Sequence, residues 1–181
     1  MNNDPQRRSS VALVNSLEYR FACCIVTHAM RQIDRRYRHP FAVSTTPYFT
    51  DGIREVLKEY YYRLRGQIRR DYNAIFSENE KSPANYKILF LAVTNTYLSY
   101  GYEHRRFLIL CTAITVYAQC MYKDTYREAL KISTEHIFDC LWAIRNLSET
   151  QDFNKHWKYL DDYCNKNGQH NSENQAWRMN R

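Results

Sequence analysis

Residues 99–108 read SYGYEHRRFL, and this stretch decides how the chain is organised. Gly101 breaks the chain between two apolar segments of helical spacing. Arg106 stands one turn inside the second segment, ahead of the most hydrophobic run in the protein, Phe107 to Cys120. An arginine at the mouth of a buried helix is costly unless an anion accompanies it. Glu103, one turn earlier, is one such partner. A carboxylate arriving from outside is the other, and it would make this place a binding groove.

The rest of the chain agrees with a helical protein. Its 181 residues suffice for one domain with a sizeable core. Four glycines and four prolines are too few for the turns of an all-β protein. Sixteen tyrosines dominate the aromatic content, and such rings suit half-wet surfaces. The net charge of +7 fits a solvated surface, and it also fits attraction to nucleic acid or anionic lipid. Cys23, Cys24, Cys111, Cys120, Cys140 and Cys164 form no CxxC pair. They read as small buried hydrophobes of a reducing compartment, not as a disulfide scaffold or zinc site. Asn146-Leu147-Ser148 matches a glycosylation acceptor but has no secretory signal to give it meaning. Residues 107–121 come closest to a membrane span but fall short of the roughly 18–20 apolar residues required. They also carry Thr112, Thr115 and Gln119, so a buried core helix is the better reading.

Outward from residues 99–108 the spacing predicts an all-α domain over 10–164, with a flexible N-terminus at 1–9 and a polar, disordered tail at 165–181 that holds Trp177. Ser9 or Ser10 caps a first helix near 10–34, with Leu13, Leu17, Phe21, Cys24 and His28 as its apolar stripe. Arg31, Arg35 and Arg36 suit the negative end of its dipole. A loop with Pro40 and Pro47 follows. Thr50 or Asp51 caps a helix near 51–76, striped by Ile53, Leu57, Tyr61, Leu64, Ile68, Tyr72 and Ile75. Its other face carries Arg54, Lys58, Arg63, Arg65, Arg69 and Arg70, a solvated face or a phosphate-binding one. Ser82-Pro83 starts a helix near 84–99. Helices near 103–121, 125–146 and 151–164 complete the domain, capped in the last two cases by Asp124 and Thr150. Leu130, Ile137, Leu141 and Ile144 face inward from the 125–146 helix. The total is about seven helices.

Nothing points to catalysis, a cofactor or a metal. His28, His39, His104, His136, His156 and His170 show no HExxH or similar ligand spacing. His28 reads as a satisfied core histidine. Asp161 and Asp162 are adjacent, so on a helix they point about 100° apart and make a poor acid/base pair.

The order of these helices, with SYGYEHRRFL among them, resembles the Bcl-2 family of apoptosis regulators. That family carries an Asn-Trp-Gly-Arg element between its fourth and fifth helices. Gly101 matches the glycine two residues before it, Glu103, His104 and Arg105 stand where Asn, Trp and Gly are usual, and Arg106 matches the arginine. QIRRDYNAIFS (67–77), Ser82-Pro83, the segment around Phe90 and Val93, and HWKYLDDYC (156–164) with Trp157 extend the likeness in order.

The resemblance implies a bundle of seven to eight helices around a central hydrophobic helix. It implies a surface groove that receives the death-motif helix of a pro-apoptotic partner. Arg106 would pair with that helix's aspartate. Leu64, Ile68, Tyr72, Val93, Tyr97 and Phe107 would line the groove, or simply pack in the core. Tyr72 and Tyr97 suit a half-wet wall best. A cytoplasmic protein at the mitochondrial outer membrane or endoplasmic reticulum is implied, and a homodimer is open. The family's membrane anchor has no match here, being either trimmed away or naturally lacking, as in viral members. A distant invertebrate homologue fits equally.

Two departures matter. Glu103 would repel a ligand's aspartate or compete for Arg106. Arg105 replaces a glycine that permits close approach, so it would clash or supply a second cation. Both predict a narrowed or shifted ligand set. The death-motif position of this chain's own second helix holds Leu57, Tyr61 and Tyr62, with a bulky residue and no aspartate, which favours a pro-survival protein over a membrane-permeabilising one. A basic helical nucleic-acid-binding protein is the alternative from another class.

Overall fold

A computed structural model describes residues 16–40, 46–147 and 155–167. Six helices and no strand occur among the described residues: α1 (Leu17–Met30), α2 (Asp51–Glu78), α3 (Pro83–Leu98), α4 (His104–Lys123), α5 (Ala129–Leu147) and α6 (residues 155–167). The expected Ser9, Ser10 and Thr150 caps, Leu13, the glycosylation serine Ser148 and residues 1–9 and 168–181 lie outside the described residues, whereas 165–167 of the expected disordered tail are helical, as the last turn of α6.

Local sequence sets most boundaries. Ser16 accepts the Tyr19 amide and starts α1. Thr50 accepts the Ile53 amide and starts α2, while its hydroxyl donates to Asp161 on α6. Ser82 accepts the Asn85 amide, and Pro83 occupies the first turn of α3. Asp124 does not cap α5 as expected. It is the C-cap of α4, Thr125 follows at a φ of 71°, and α5 starts only at Ala129. The Asp124 carboxylate is drawn back because it accepts the Tyr72 hydroxyl at 2.7 Å and pairs with Lys81 at 2.9 Å.

Helix α4 is the centre. Thirteen of its twenty residues are buried, and α1, α2, α3 and α5 all pack against it. Its polar residues are satisfied from within. Thr112 donates back to the Leu108 carbonyl and Thr115 to that of Thr112. Gln119 donates to the Ala29 carbonyl at the end of α1 and accepts the Tyr61 hydroxyl of α2, so one buried amide ties three helices.

The stripe of α2 is buried at Ile53, Leu57, Tyr61, Ile68 and Tyr72, half-buried at Leu64, and runs out to solvent at Ile75. On α1 the buried face is turned from the expected stripe: of that stripe Phe21 is buried while Leu17, Cys24 and His28 are half-buried, and Tyr19, Ala22, Cys23, Ile25, Val26 and Ala29 are covered instead. His28 is not the satisfied core histidine expected. It is half-buried with its ring against Phe49, and its shielded Nε2 finds no hydrogen-bond partner. Glu18 is buried on α1 and is paired by Arg145 of α5.

All six cysteines are free, and burial pushes the thiols of Cys23 and Cys164 up to about 12. No helix among the described residues is long and apolar enough to cross a membrane.

Trp157 anchors α6. It is 1% exposed, tilted against Phe21 at 4.2 Å and stacked on Tyr48 at 5.5 Å. A Trp157→Ala variant is expected to lose about 3–5 kcal/mol of stability in urea denaturation, mostly as transfer and cavity terms. A loss below about 1 kcal/mol would mean that α6 contributes little to the core.

Candidate functional site

The candidate site is the first turn of α4 and the walls that rise beside it. Helices α2 and α3 each pack extensively on α4 but barely on each other. They meet near their connecting turn, where Phe76 and Tyr86 stand edge to face at 5.3 Å. Tyr72, Asp124 and Lys81 close that same end. Away from the turn, α2 presents Leu64 and Ile68, and α3 presents Val93 and Tyr97. Leu64, Val93 and Tyr97 are half-buried, Ile68 is mostly buried, and Phe107 is fully buried in the first turns of α4. Asp71 on α2 helps to raise the hydroxyls of Tyr97 and Tyr117, after burial, which places these walls within electrostatic reach.

Tyr72 differs from its reading as a half-wet wall. It is 2% exposed, and its hydroxyl is committed to Asp124. The reason is the turn. Lys81 is brought over the Tyr72 ring at 5.7 Å, and the ion pair below seals that end of the cleft. Burial opposes charge on Asp124, but Lys81 and Tyr72 outweigh it and hold the carboxyl below its usual range.

Gly101 has a φ of +92°, which favours glycine and lets the chain turn sharply from α3 into α4. The first turn of α4 then holds His104, Arg105 and Arg106 with no acid among them. Burial lowers the His104 imidazole, so the cations that the positive end of the helix dipole disfavours are Arg105 and Arg106. Glu103 compensates. Its side chain makes no capping bond and instead pairs with Arg106, Nε to Oε2, at 3.0 Å. Of the two partners for Arg106 that the sequence left open, the internal one is engaged here. The pair is accessible, at 40% exposure for Arg106 and 53% for Glu103, and Tyr100 lies under the guanidinium at 5.8 Å. Arg105 is exposed.

Sequence reasoning missed the cluster that holds this loop in place. The Tyr102 hydroxyl lies 2.7 Å from His104 Nδ1 and 3.3 Å from His156 Nε2 on α6. Tyr163 packs on His104 and touches the Tyr60 hydroxyl. These partners are far apart in the chain, and no local spacing announces them. A separate recess between α1, α2 and α4, lined by Ile25, His28, Leu57 and Tyr61, has room for about one water molecule. No group of three or more metal-ligating side chains occurs among the described residues.

Compared with known protein families, curated proteins and solved structures, the chain matches none.

Two imidazoles give the fold a pH signature: His156 beside Tyr102 and His104, and His39 against Thr134 of α5. Burial holds His39 down to about 4, and burial followed by the neighbouring His104 does the same for His156, against an ordinary value of 6.5. Between pH 6.5 and 4 the unfolded chain therefore binds more protons than the folded one. This contribution to stability is complete above pH 6.5 and is lost as the pH falls towards 4, on the order of 3 kcal/mol for each group. Urea denaturation across this range is expected to show that decline, and a His156→Asn variant a shallower one. An unchanged slope in the variant would show that His156 titrates normally in the folded protein.

Proposed function

We propose that this protein is a pro-survival apoptosis regulator of the Bcl-2 type. It holds death-motif helices of pro-apoptotic proteins in the cleft between α2 and α3, and it performs no catalysis. The observation that carries this reading is Arg106. It lies on the first turn of the central buried helix, partly exposed, with an ion-pair partner that a ligand can displace. An incoming amphipathic helix would place apolar anchors against Leu64, Ile68, Val93 and Tyr97, whereas Phe107, expected in the groove lining, is fully covered and out of a ligand's reach. Its aspartate would take over the Arg106 guanidinium from Glu103.

The sign of the activity rests on α2. In a pro-apoptotic member this helix must supply a death motif to others. Here Leu57 and Tyr61 are 5% and 2% exposed, and the Tyr61 hydroxyl is committed to Gln119. Releasing that face would expose core and unpair a buried amide, so it is unsuited to be offered as a ligand. Six helices with α4 at their centre suit the family architecture, and so does Trp157 in its covered pocket. Action at a mitochondrial or endoplasmic-reticulum membrane belongs to the same reading.

Calorimetric titration with a panel of death-motif peptides tests it. Binding to at least one peptide is expected, with Arg106→Ala weakening it roughly tenfold or more, as for a lost charge-assisted bond. Glu103→Asn is expected to tighten it by up to about fivefold, because an exposed competing pair is worth about 0.2–1 kcal/mol. No leakage from liposomes is expected. Absence of binding to every peptide, or indifference to Arg106→Ala, would contradict the groove. Leakage would assign the protein to the permeabilising branch.

A further inference from the structure

The C-terminal ends of α1 and α4 come together at one end of the bundle, beside the outer face of α2. The Tyr62 hydroxyl of α2 donates to the Gln32 side chain just past α1, at 3.2 Å. Arg31 Nε donates to the Tyr37 carbonyl. Tyr122 at the end of α4 lies close enough to Tyr37 to help burial raise that hydroxyl. Cations gather here: Arg31, Arg35, Arg36 and Arg38 follow α1, Arg65 flanks Tyr62, and Lys123 follows Tyr122. Asp34 is the one acid between 31 and 38, and its carboxylate accepts the Arg36 backbone amide.

None of these six cations forms an ion pair with a described residue. On α2, Arg54, Lys58 and Arg63 are each paired to an acid one turn away, while Arg69 and Arg70 bond to the neutral Tyr61 and Gln67 side chains. Asp34 among the arginines, and Asp124 beside Lys123 but paired with Lys81, leave cations in excess at this end. Apolar and aromatic side chains emerge among the cations. Ile33 is 37%, Tyr62 52% and Tyr122 44% exposed.

We propose that this end of the bundle, built on Ile33, Arg35, Arg36, Tyr62, Arg65 and Tyr122, docks peripherally on an anionic phospholipid surface. Charge complementarity supplies the long-range attraction. Tyrosine and isoleucine then enter the headgroup boundary, where a ring with one polar end is at home. A nucleic acid fits less well. Base stacking needs an open aromatic face, whereas Tyr62 has Arg65 over its ring at 4.9 Å and Tyr61 against it at 5.5 Å. Ile33 has no role against a base. Arg106 takes no part, so this surface and the peptide groove stand or fall separately.

Sedimentation of the full chain with vesicles tests the proposal. Binding is expected to phosphatidylcholine vesicles that carry phosphatidylserine, and not to phosphatidylcholine alone. It should weaken as salt rises. Arg35→Gln with Arg36→Gln is expected to lower the partition coefficient roughly 25-fold, about fivefold for each charge. Ile33→Ser is expected to lower it while leaving the salt dependence unchanged. Matching thermal melts would show that the variants remain folded, which their exposed positions favour. Equal binding to both vesicle types, no binding to either, or full binding by the double arginine variant would overturn the proposal. So would tight association with single-stranded RNA in the absence of vesicle binding.

Discussion

Helix α4 has to be dry along most of its length and wet in its first turn, and the other helices are arranged around that division. Four helices pack on it, and even its polar side chains are turned inward and satisfied there. The first turn reverses the chemistry with two arginines in succession, Arg105 and Arg106, at the positive end of the dipole. Such a sequence cannot follow the rest of the helix into the core, because a buried cation needs a fixed anion and several hydrogen bonds. The wall around α4 must therefore open where that turn emerges. Gly101 supplies the bend and Glu103 the nearest counterion.

The opening is asymmetric. At one end Tyr72, Asp124 and Lys81 lock the α2–α3 turn to the far end of α4, and the rings of Phe76 and Tyr86 fill the space between. Away from that end Leu64, Val93 and Tyr97 are half-buried, and the Arg106–Glu103 pair on the first turn of α4 is exposed. A surface with apolar walls and a displaceable ion pair at its rim is chemically suited to an amphipathic helix with one acidic residue. Affinity for such a ligand then depends on a competition between two carboxylates for one guanidinium, which favours whichever is better positioned. Under the proposed function, Glu103 would be an internal competitor that sets a threshold for ligands.

Much of the architecture was legible in the sequence. The 3.6-residue stripes of α2 and the Ser82-Pro83 start gave those helices nearly to the residue, since these signals are local. That α4 is a buried core helix followed from its apolar run, and its place at the centre from the family resemblance. Long-range partners escaped. Asp124 looks like an N-cap because aspartate before a helical pattern usually is one, and only the fold brings Tyr72 and Lys81 to it. The same contact buries Tyr72, which its spacing placed on the apolar stripe and the family resemblance placed on a half-wet wall. The Tyr102, His104 and His156 cluster joins the motif loop to α6, a pairing that no periodicity encodes. The Glu103–Arg106 pair was visible as an option from its spacing, but whether it forms depends on how far Arg106 stands out from the walls.

The most direct test of the central claim is a map of where a death-motif helix touches the protein. Methyl-labelled protein titrated with such a peptide and followed by NMR gives that map. The account predicts that shifts concentrate on Leu64, Ile68 and Val93, with smaller ones at Ile53 and Ile137, which are buried elsewhere. Shifts confined to Ile33 or Ile88, or spread evenly over the core, would contradict a cleft between α2 and α3 as the binding site.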